Sequence, residues 1–353
     1  MTKNQHFIPQ VLLRNFSCDK KRRMINIYLL KFNEIKYAVG LTDQASKRYL
    51  YGADQKLEKV FCHFETLFGH VLKKLLNEDI NLNDNEEAVL RLFMILQLNR
   101  TPIAEKNYHH QINMLFKNTL SHYPKYKKII DDFSIELTHP YYDLLNLSLR
   151  VSFLISDLKV GLIKCCQDSQ FIIGEQPIVL LNPYLFEKKW PGAKQGIGQK
   201  GTIIVMPISQ NYSVILYDSI RYGLSNFKKI IQVNNEDEDI LNYCQFLQTS
   251  NCIFFKEKTI NMNTFQKMNR DSESFRIKNK HELQIFKSQL KEDKYSELLL
   301  LHPVDFPIKQ NFKFVAIKAD AYQDHITTFA DIGREYVNEF EAYRKIQERL
   351  NSE

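Results

Sequence analysis

His6, Gln10 and Arg14 stand four residues apart near the start of the chain, and they are the first side chains whose types and spacing suggest chemistry. An imidazole gives or takes a proton near neutral pH, an amide relays hydrogen bonds, and a guanidinium grips a phosphate or carboxylate at two points. Pro9 suits the first position of a short helix running to about Asn15, with Ile8, Val11, Leu12 and Phe16 as its apolar stripe. Phe7, Gln10 and Arg14 share a neighbouring stripe, and His6 enters just ahead of the first turn, where unpaired backbone donors favour an anion. Three polar heads then converge beside a buried face. The plainer alternative is that His6 and Gln10 tie down the N-terminus while Arg14 caps carbonyls of a partner element.

Further candidates sit at the ends or buried sides of other elements. A helical pattern from Asp54 to Asn77 carries a broad stripe of Leu57, Val60, Phe61, Phe64, Leu67, Phe68, Val71, Leu72 and Leu75, with Glu58 and Glu65 together on one face. The next helix, with Asp84 as N-cap and Glu87 completing a capping box, runs to about Arg100, and Gln97 and Arg100 continue the line of Leu90 and Phe93. A buried amide and a buried guanidinium must both be paired, and Glu58, Glu65 and Glu175 are the available carboxylates. Helices continue beyond Thr101-Pro102 through Tyr108–Phe133 and from Tyr142 to about Ser156. From Asp157 to Phe255 short apolar runs alternate with turn residues, which predicts a mostly antiparallel sheet, and a helix from about Glu236 to Ser250 precedes its last strand. Thr259–Lys294 is polar and poorly periodic, and Asp324–Leu350 reads as a charged helix. Helices followed by strands give an α+β fold, a helical region packed against a mostly antiparallel sheet.

Several motifs fail on context. Gly196-Ile197-Gly198-Gln199-Lys200-Gly201 has the dinucleotide spacing but leads into a strand instead of opening a helix. Its loop, Glu187–Gly201, is expected to be mobile, with Lys188, Lys189, Lys194 and Lys200 within reach of a phosphate backbone or simply solvated. His63-Phe64-Glu65 imitates the HxE of zinc deaminases without the PCxxC, so His63 reads as a core histidine. Asp157-Leu158-Lys159 suits a metal-dependent nuclease only if Glu175 lies nearby. No metal site and no cofactor is expected.

His6-Phe7-Ile8-Pro9-Gln10 followed by Leu13-Arg14-Asn15-Phe16 resembles the opening signature of a family of bacterial proteins described as domain of unknown function 4238. Matching blocks come in order: Gln97-Leu98-Asn99-Arg100-Thr101-Pro102, then Phe171–Ile178 with Gly174-Glu175-Gln176-Pro177, then Met206-Pro207-Ile208-Ser209. They cover about residues 4 to 255. The third block usually reads Ser-Asp-x-Pro in that family, so Glu175 departs from a shorter acid. On this footing residues 1–256 form a family-like α+β core, and 257–353 a C-terminal α/β extension, either separate or part of the same domain. The resemblance implies no activity.

Composition fits a soluble globular chain, with 44% hydrophobic and 12% aromatic residues. Lys and Arg outnumber Asp and Glu by 48 to 41, and the resulting charge of +7 permits a polyanionic partner. Six cysteines without a CxxC, no leader-like segment and no long apolar run point to the cytoplasm and away from membranes. Two functions are expected as alternatives. One is a nucleic-acid-processing effector that cleaves RNA without a metal, with His6, Glu175 and Arg100 catalytic and Gln10, Arg14, Gln97, Glu65, Lys194 and Lys200 binding RNA or another phosphate-bearing ligand. The other is a non-enzymatic interaction module of a bacterial operon, with a protein partner and a purely structural His/Arg/Glu network.

Overall fold

Pro9 stands one place ahead of the first helical residue, with φ −57° and ψ 140°, so it enters the first helix as its cap and not within it. The computed structural model describes residues 3–126, 128–167, 169–192, 194–224, 230–257, 261–277, 281–289, 295–328 and 331–340. Strand β1 (Asn4–His6) leads to the single-turn helix α1 (Gln10–Leu13), which tightens into a 3-10 turn over Arg14–Phe16. The hairpin of β2 (Met24–Leu29) and β3 (Glu34–Gly40) follows, and β4 (Ser46–Arg48) returns to pair antiparallel with β1.

Helices α2 (Lys56–Leu76), α3 (Asp84–Asn99), α4 (Pro102–Ser121) and α5 (Pro140–Val151) come next. The buried stripe of α2 is narrower than expected, since Val60 and Leu67 are each 37% exposed. The capping box of α3 is Asn83 with Glu86, one residue ahead of the expected Asp84 and Glu87, because Asn83 is extended while Asp84 is already helical. Phe68 of α2 stacks on Phe93 of α3 with ring centroids 3.6 Å apart. Between α3 and α4 the chain breaks where Thr101 Oγ1 accepts from the Ala104 N–H at 3.1 Å and Pro102 opens the next helix.

The remaining core holds β5 (Lys159–Lys164), β6 (Ile173–Gly174), β7 (Val179–Leu181), α6 (Pro183–Glu187), β8 (Ile203–Pro207), β9 (Tyr212–Tyr217), β10 (Tyr222–Leu224), β11 (Ile230–Gln232), α7 (Asn235–Leu247) and β12 (Cys252–Phe255). The fold is α+β, but the core strands after Asp157 divide between two larger sheets, with β10 set apart in a two-stranded pairing with the C-terminal region. One sheet runs β11-β5-β9-β8-β7, antiparallel except for the parallel pair β11 and β5. In the other, β6 and β12 join β2 and β3 in the order β3-β2-β12-β6. Two-residue periodicity explains why the five-stranded sheet is buried on both faces. Along β8, Ile204 and Met206 join the cluster of Phe68 and Phe93, while Ile203 and Val205 join the cluster of Leu241 and Cys244 on α7.

Helix α8 (Met262–Ile277), the hairpin β13 (His281–Gln289) with β14 (Tyr295–Pro303), and β15 (Val315–Ile317) complete the described elements, and β15 pairs with β10. The helix falls in the stretch expected to lack periodicity, because its buried row Phe265, Asn269 and Ser272 is mostly polar. Asn269 Nδ2 donates to the Leu30 carbonyl at 2.9 Å, which ties the helix to the end of β2. Phe306, Phe312 and Phe314 pack into the α7 cluster. The charged helix expected from Asp324 begins only at Glu335, and residues 341–350 of that expectation lie outside the described residues. Among the described residues no helix is long and apolar enough to cross a membrane.

Candidate functional site

The backbone of the N-terminal signature is clamped from the end of α3. Gln97 Nε2 donates to the Phe7 carbonyl at 2.8 Å, and Arg100 Nη2 donates to the His6 carbonyl at 2.7 Å. Arg100 is 3% exposed and its other donors are also engaged, Nη1 by Glu65 at 2.7 Å and Nε by the Tyr51 hydroxyl at 3.2 Å. Its guanidinium lies 4.4 Å from the Phe61 ring centroid. Burial opposes its charge, but Tyr51 and Glu65 more than compensate, so it stays a cation. The Tyr51 hydroxyl donates to the Arg100 carbonyl at 2.9 Å, and burial pushes its pKa up to about 12. Glu58 completes the group: burial raises its pKa, and its Oε2 has no hydrogen-bond partner among the described residues. Arg100 is therefore closed around protein groups, which leaves it out of reach of the catalytic role expected for it, and Gln97 holds the backbone through Nε2 while its Oε1 has no hydrogen-bond partner among the described residues.

Outside this closed network the side chains of the first helix form an open row. Arg14 Nη2 donates to Gln10 Oε1 at 2.8 Å, and Gln10 Nε2 lies 3.2 Å from His6 Nε2, which in turn lies 3.0 Å from the Thr42 carbonyl. These contacts define two states of the imidazole. With Nε2 unprotonated it accepts from Gln10; with Nε2 protonated it donates to Thr42. Burial pushes His6 below its ordinary value of 6.5, against the upward pull of the Thr42 carbonyl. Arg100 meets one of the carboxylates expected for it, Glu65, whereas Arg14 makes no ion pair among the described residues.

Arg14 ends the row at a cleft of about 470 Å³ that also carries Lys20, Arg22 and Lys256. Asn15 fixes one wall by donating to the Ile208 carbonyl at 3.0 Å, which joins the first and fourth signature blocks. Arg22 Nε donates to the Arg14 carbonyl at 3.1 Å, and its guanidinium also binds the Asn15 side chain. Asp19 is the carboxylate among the described lining residues. It accepts from the N–H groups of Met24, Arg23 and Lys21 at 2.7, 2.8 and 3.0 Å, so its charge is answered by backbone and the cleft remains basic.

The other candidates are drawn elsewhere. Glu175 is 6% exposed, and its carboxylate accepts from Ser250 N, Asn251 N and Asn251 Nδ2 at 2.9, 2.7 and 2.9 Å, so it pins the end of α7 to β6 instead of facing His6. The adjoining Gly174 leaves no room for a side chain, since a Cβ there would stand 2.1 Å from Thr249 Oγ1. Lys194 pairs with Asp305 at 2.8 Å, Lys200 lies 3.6 Å from Glu335, and Lys188 Nζ donates to the Tyr322 carbonyl at 2.6 Å. The lysine loop is thus bound to the C-terminal region, and Lys194 and Lys200 do not join the row. Gly201 has φ +73°, so the glycine spacing serves a left-handed turn into β8. Asp157 binds Arg334 at 2.8 Å while Glu175 serves Ser250 and Asn251, so the two acids expected to share a metal have different partners. His63 is exposed on α2, not in the core.

Sequence reasoning missed Tyr51, Gln5 and Thr42. Gln5 is fully buried and spans the gap to Tyr51, donating to the Gly52 carbonyl at 3.1 Å and accepting from Tyr51 N at 2.6 Å. They lie in a strand, a turn and a three-residue 3-10 helix, segments too short for helical spacing to mark an interior position. Lys20-Lys21-Arg22-Arg23 is a run of four basic residues in the sequence, but nothing local to it reveals that Lys20 and Arg22 line one cleft with Ser209 and Lys256.

No curated protein and no solved structure matches the chain. A family model described as protein of unknown function (DUF4238) matches residues 4–259, and the chain belongs to that family.

Proposed function

We propose that the chain binds a phosphate-bearing ligand, single-stranded RNA being the class it suits best, in the basic cleft beside Arg14, and that His6 moves a proton there. The observation that carries this reading is the continuous row from His6 through Gln10 to Arg14, ending in a cleft with four cations and one backbone-bound carboxylate. Such a cleft tracks a phosphate backbone and answers charge that builds on phosphorus. In RNA the ribose 2′-OH supplies the nucleophile. His6 Nε2 takes the 2′-OH proton, the 2′ oxygen bonds to phosphorus, the bond to the 5′ oxygen breaks, and that oxygen takes a proton from solvent. Arg14 is the phosphate contact, and neither Arg100 nor Glu175 has a part in the step.

The test is incubation of the purified protein with total RNA, plasmid DNA and free nucleotides, beside His6→Ala and Arg14→Ala, with and without EDTA. The reading expects turnover of RNA alone, lost in both variants and indifferent to EDTA. Strong EDTA inhibition would move the chemistry to a metal, and no turnover of any substrate ends the case for an enzyme. A second reading, a non-enzymatic interaction module, is favoured by Gln97, Arg100 and Glu175, which all hold backbone. It expects a stable protein partner in a pull-down that survives His6→Ala.

A further inference from the structure

A cavity of about 230 Å³ lies between the start of α4, α5 and β7, away from the basic cleft, and it is lined by amides. We infer that this cavity is a binding site for a neutral, planar heterocycle of the nucleobase type. The proposal does not rest on the function proposed for the His6 row.

Charge is the first argument. Among the described residues that line the cavity there is no carboxylate, lysine or arginine, and the titratable side chains are His281 and Tyr108, so the lining favours a ligand whose buried part is uncharged. Hydrogen bonding is the second. Asn99, Asn107, Gln111, Gln176, Gln195 and Gln248 all reach the lining; Gln176 and Gln248 spend their donors on the protein, Asn99 donates to Ser148, and Asn107, Gln111 and Gln195 are left to offer a donor and an acceptor side by side. That pairing matches the adjacent donor and acceptor on a base edge, as in the recognition of adenine by Asn or Gln. Two of the amides are fixed in place: Gln176 Nε2 donates to the Leu98 carbonyl at 2.7 Å, and Gln248 Nε2 donates to the Gln176 and Ile178 carbonyls at 2.8 Å each. Gln195 is not. It is 6% exposed, yet its Nε2 has no hydrogen-bond partner among the described residues. A buried amide donor left unpaired is costly, and a ligand acceptor in the cavity would satisfy it.

Size and walls supply the third argument. Cavities for drug-sized ligands hold roughly 300 to 1,000 Å³, so this one takes a single ring system. Ile103, Leu144, Tyr108, Phe275 and Phe306 provide apolar and aromatic surface for ring faces.

The experiment is calorimetric titration of the full chain with adenosine, guanosine, cytidine and uridine, with thermal unfolding measured in parallel. At least one nucleoside is expected to bind and to raise the unfolding temperature. Gln195→Leu should weaken that binding about tenfold, the worth of one hydrogen bond of about 1.4 kcal/mol. The same variant should leave the unliganded fold as stable as before or more so, since it removes an unpaired polar atom. Asn107→Trp should block binding, and Arg14→Ala should leave it unchanged, which separates this site from the basic cleft. Absence of binding by all four nucleosides at millimolar concentration would overturn the proposal. Binding that survives both Gln195→Leu and Asn107→Trp, or that is lost in Arg14→Ala, would overturn it equally.

Discussion

Two amide and guanidinium pairs meet at the N-terminal signature from opposite sides. Gln97 and Arg100, 0% and 3% exposed, hold its backbone carbonyls from within, whereas Gln10 and Arg14 project from its own helix toward a basic cleft. The residue types are the same; the surroundings give them opposite uses. A buried guanidinium must saturate its donors with protein groups, and Arg100 does so with Glu65, Tyr51 and the His6 carbonyl. Arg14 shares one donor with Gln10 and keeps the rest of its fork for the cleft. Stability should therefore reside in the inner pair and ligand binding in the outer one.

Arg100→Ala is the strongest way to break that contrast. It should lower stability by about 3 to 5 kcal/mol, because Glu65, Tyr51 and a strand carbonyl lose their partner together; urea unfolding would read it. Any loss of activity in this variant would then follow from unfolding. Gln97→Leu should cost less, about 1 to 3 kcal/mol, since it strands only the Phe7 carbonyl. Arg14→Ala should change stability by no more than about 0.5 kcal/mol, as for surface sites outside such networks.

A subtler effect concerns His6. Its folded pKa lies below the ordinary 6.5, so the unfolded chain binds the proton more readily and stability should fall as pH drops from 6.5 through the folded value. His6→Gln should flatten that slope in unfolding curves taken at stepped pH. An unchanged slope would mean that the imidazole is as free in the folded chain as in the unfolded one.

What the sequence reveals here follows locality. The helical spacing of α2 and α3 and the apolar runs of β5, β8 and β9 are local patterns, and they place the elements to within a few residues. The pairing of β12 with β2 joins segments at opposite ends of the family-like core, and no local pattern encodes it. Helix α8 escaped because Asn269 and Ser272 fill its buried face. At the site, spacing correctly linked His6, Gln10 and Arg14, and burial correctly drew Arg100 to Glu65. Charge alone misplaced Glu175, Lys194 and Lys200, whose partners come from distant segments that sequence spacing cannot locate.

Arg14 and the cleft it shares with Lys256 should bind an anion independently of stability. Fluorescence anisotropy of a labelled single-stranded RNA, titrated with the native chain and with the Arg14→Ala/Lys256→Ala double variant at two salt concentrations, measures this directly. Binding should weaken markedly in the variant, with a shallower salt dependence and an unchanged urea midpoint. Equal affinity and equal salt dependence in the two proteins would contradict it.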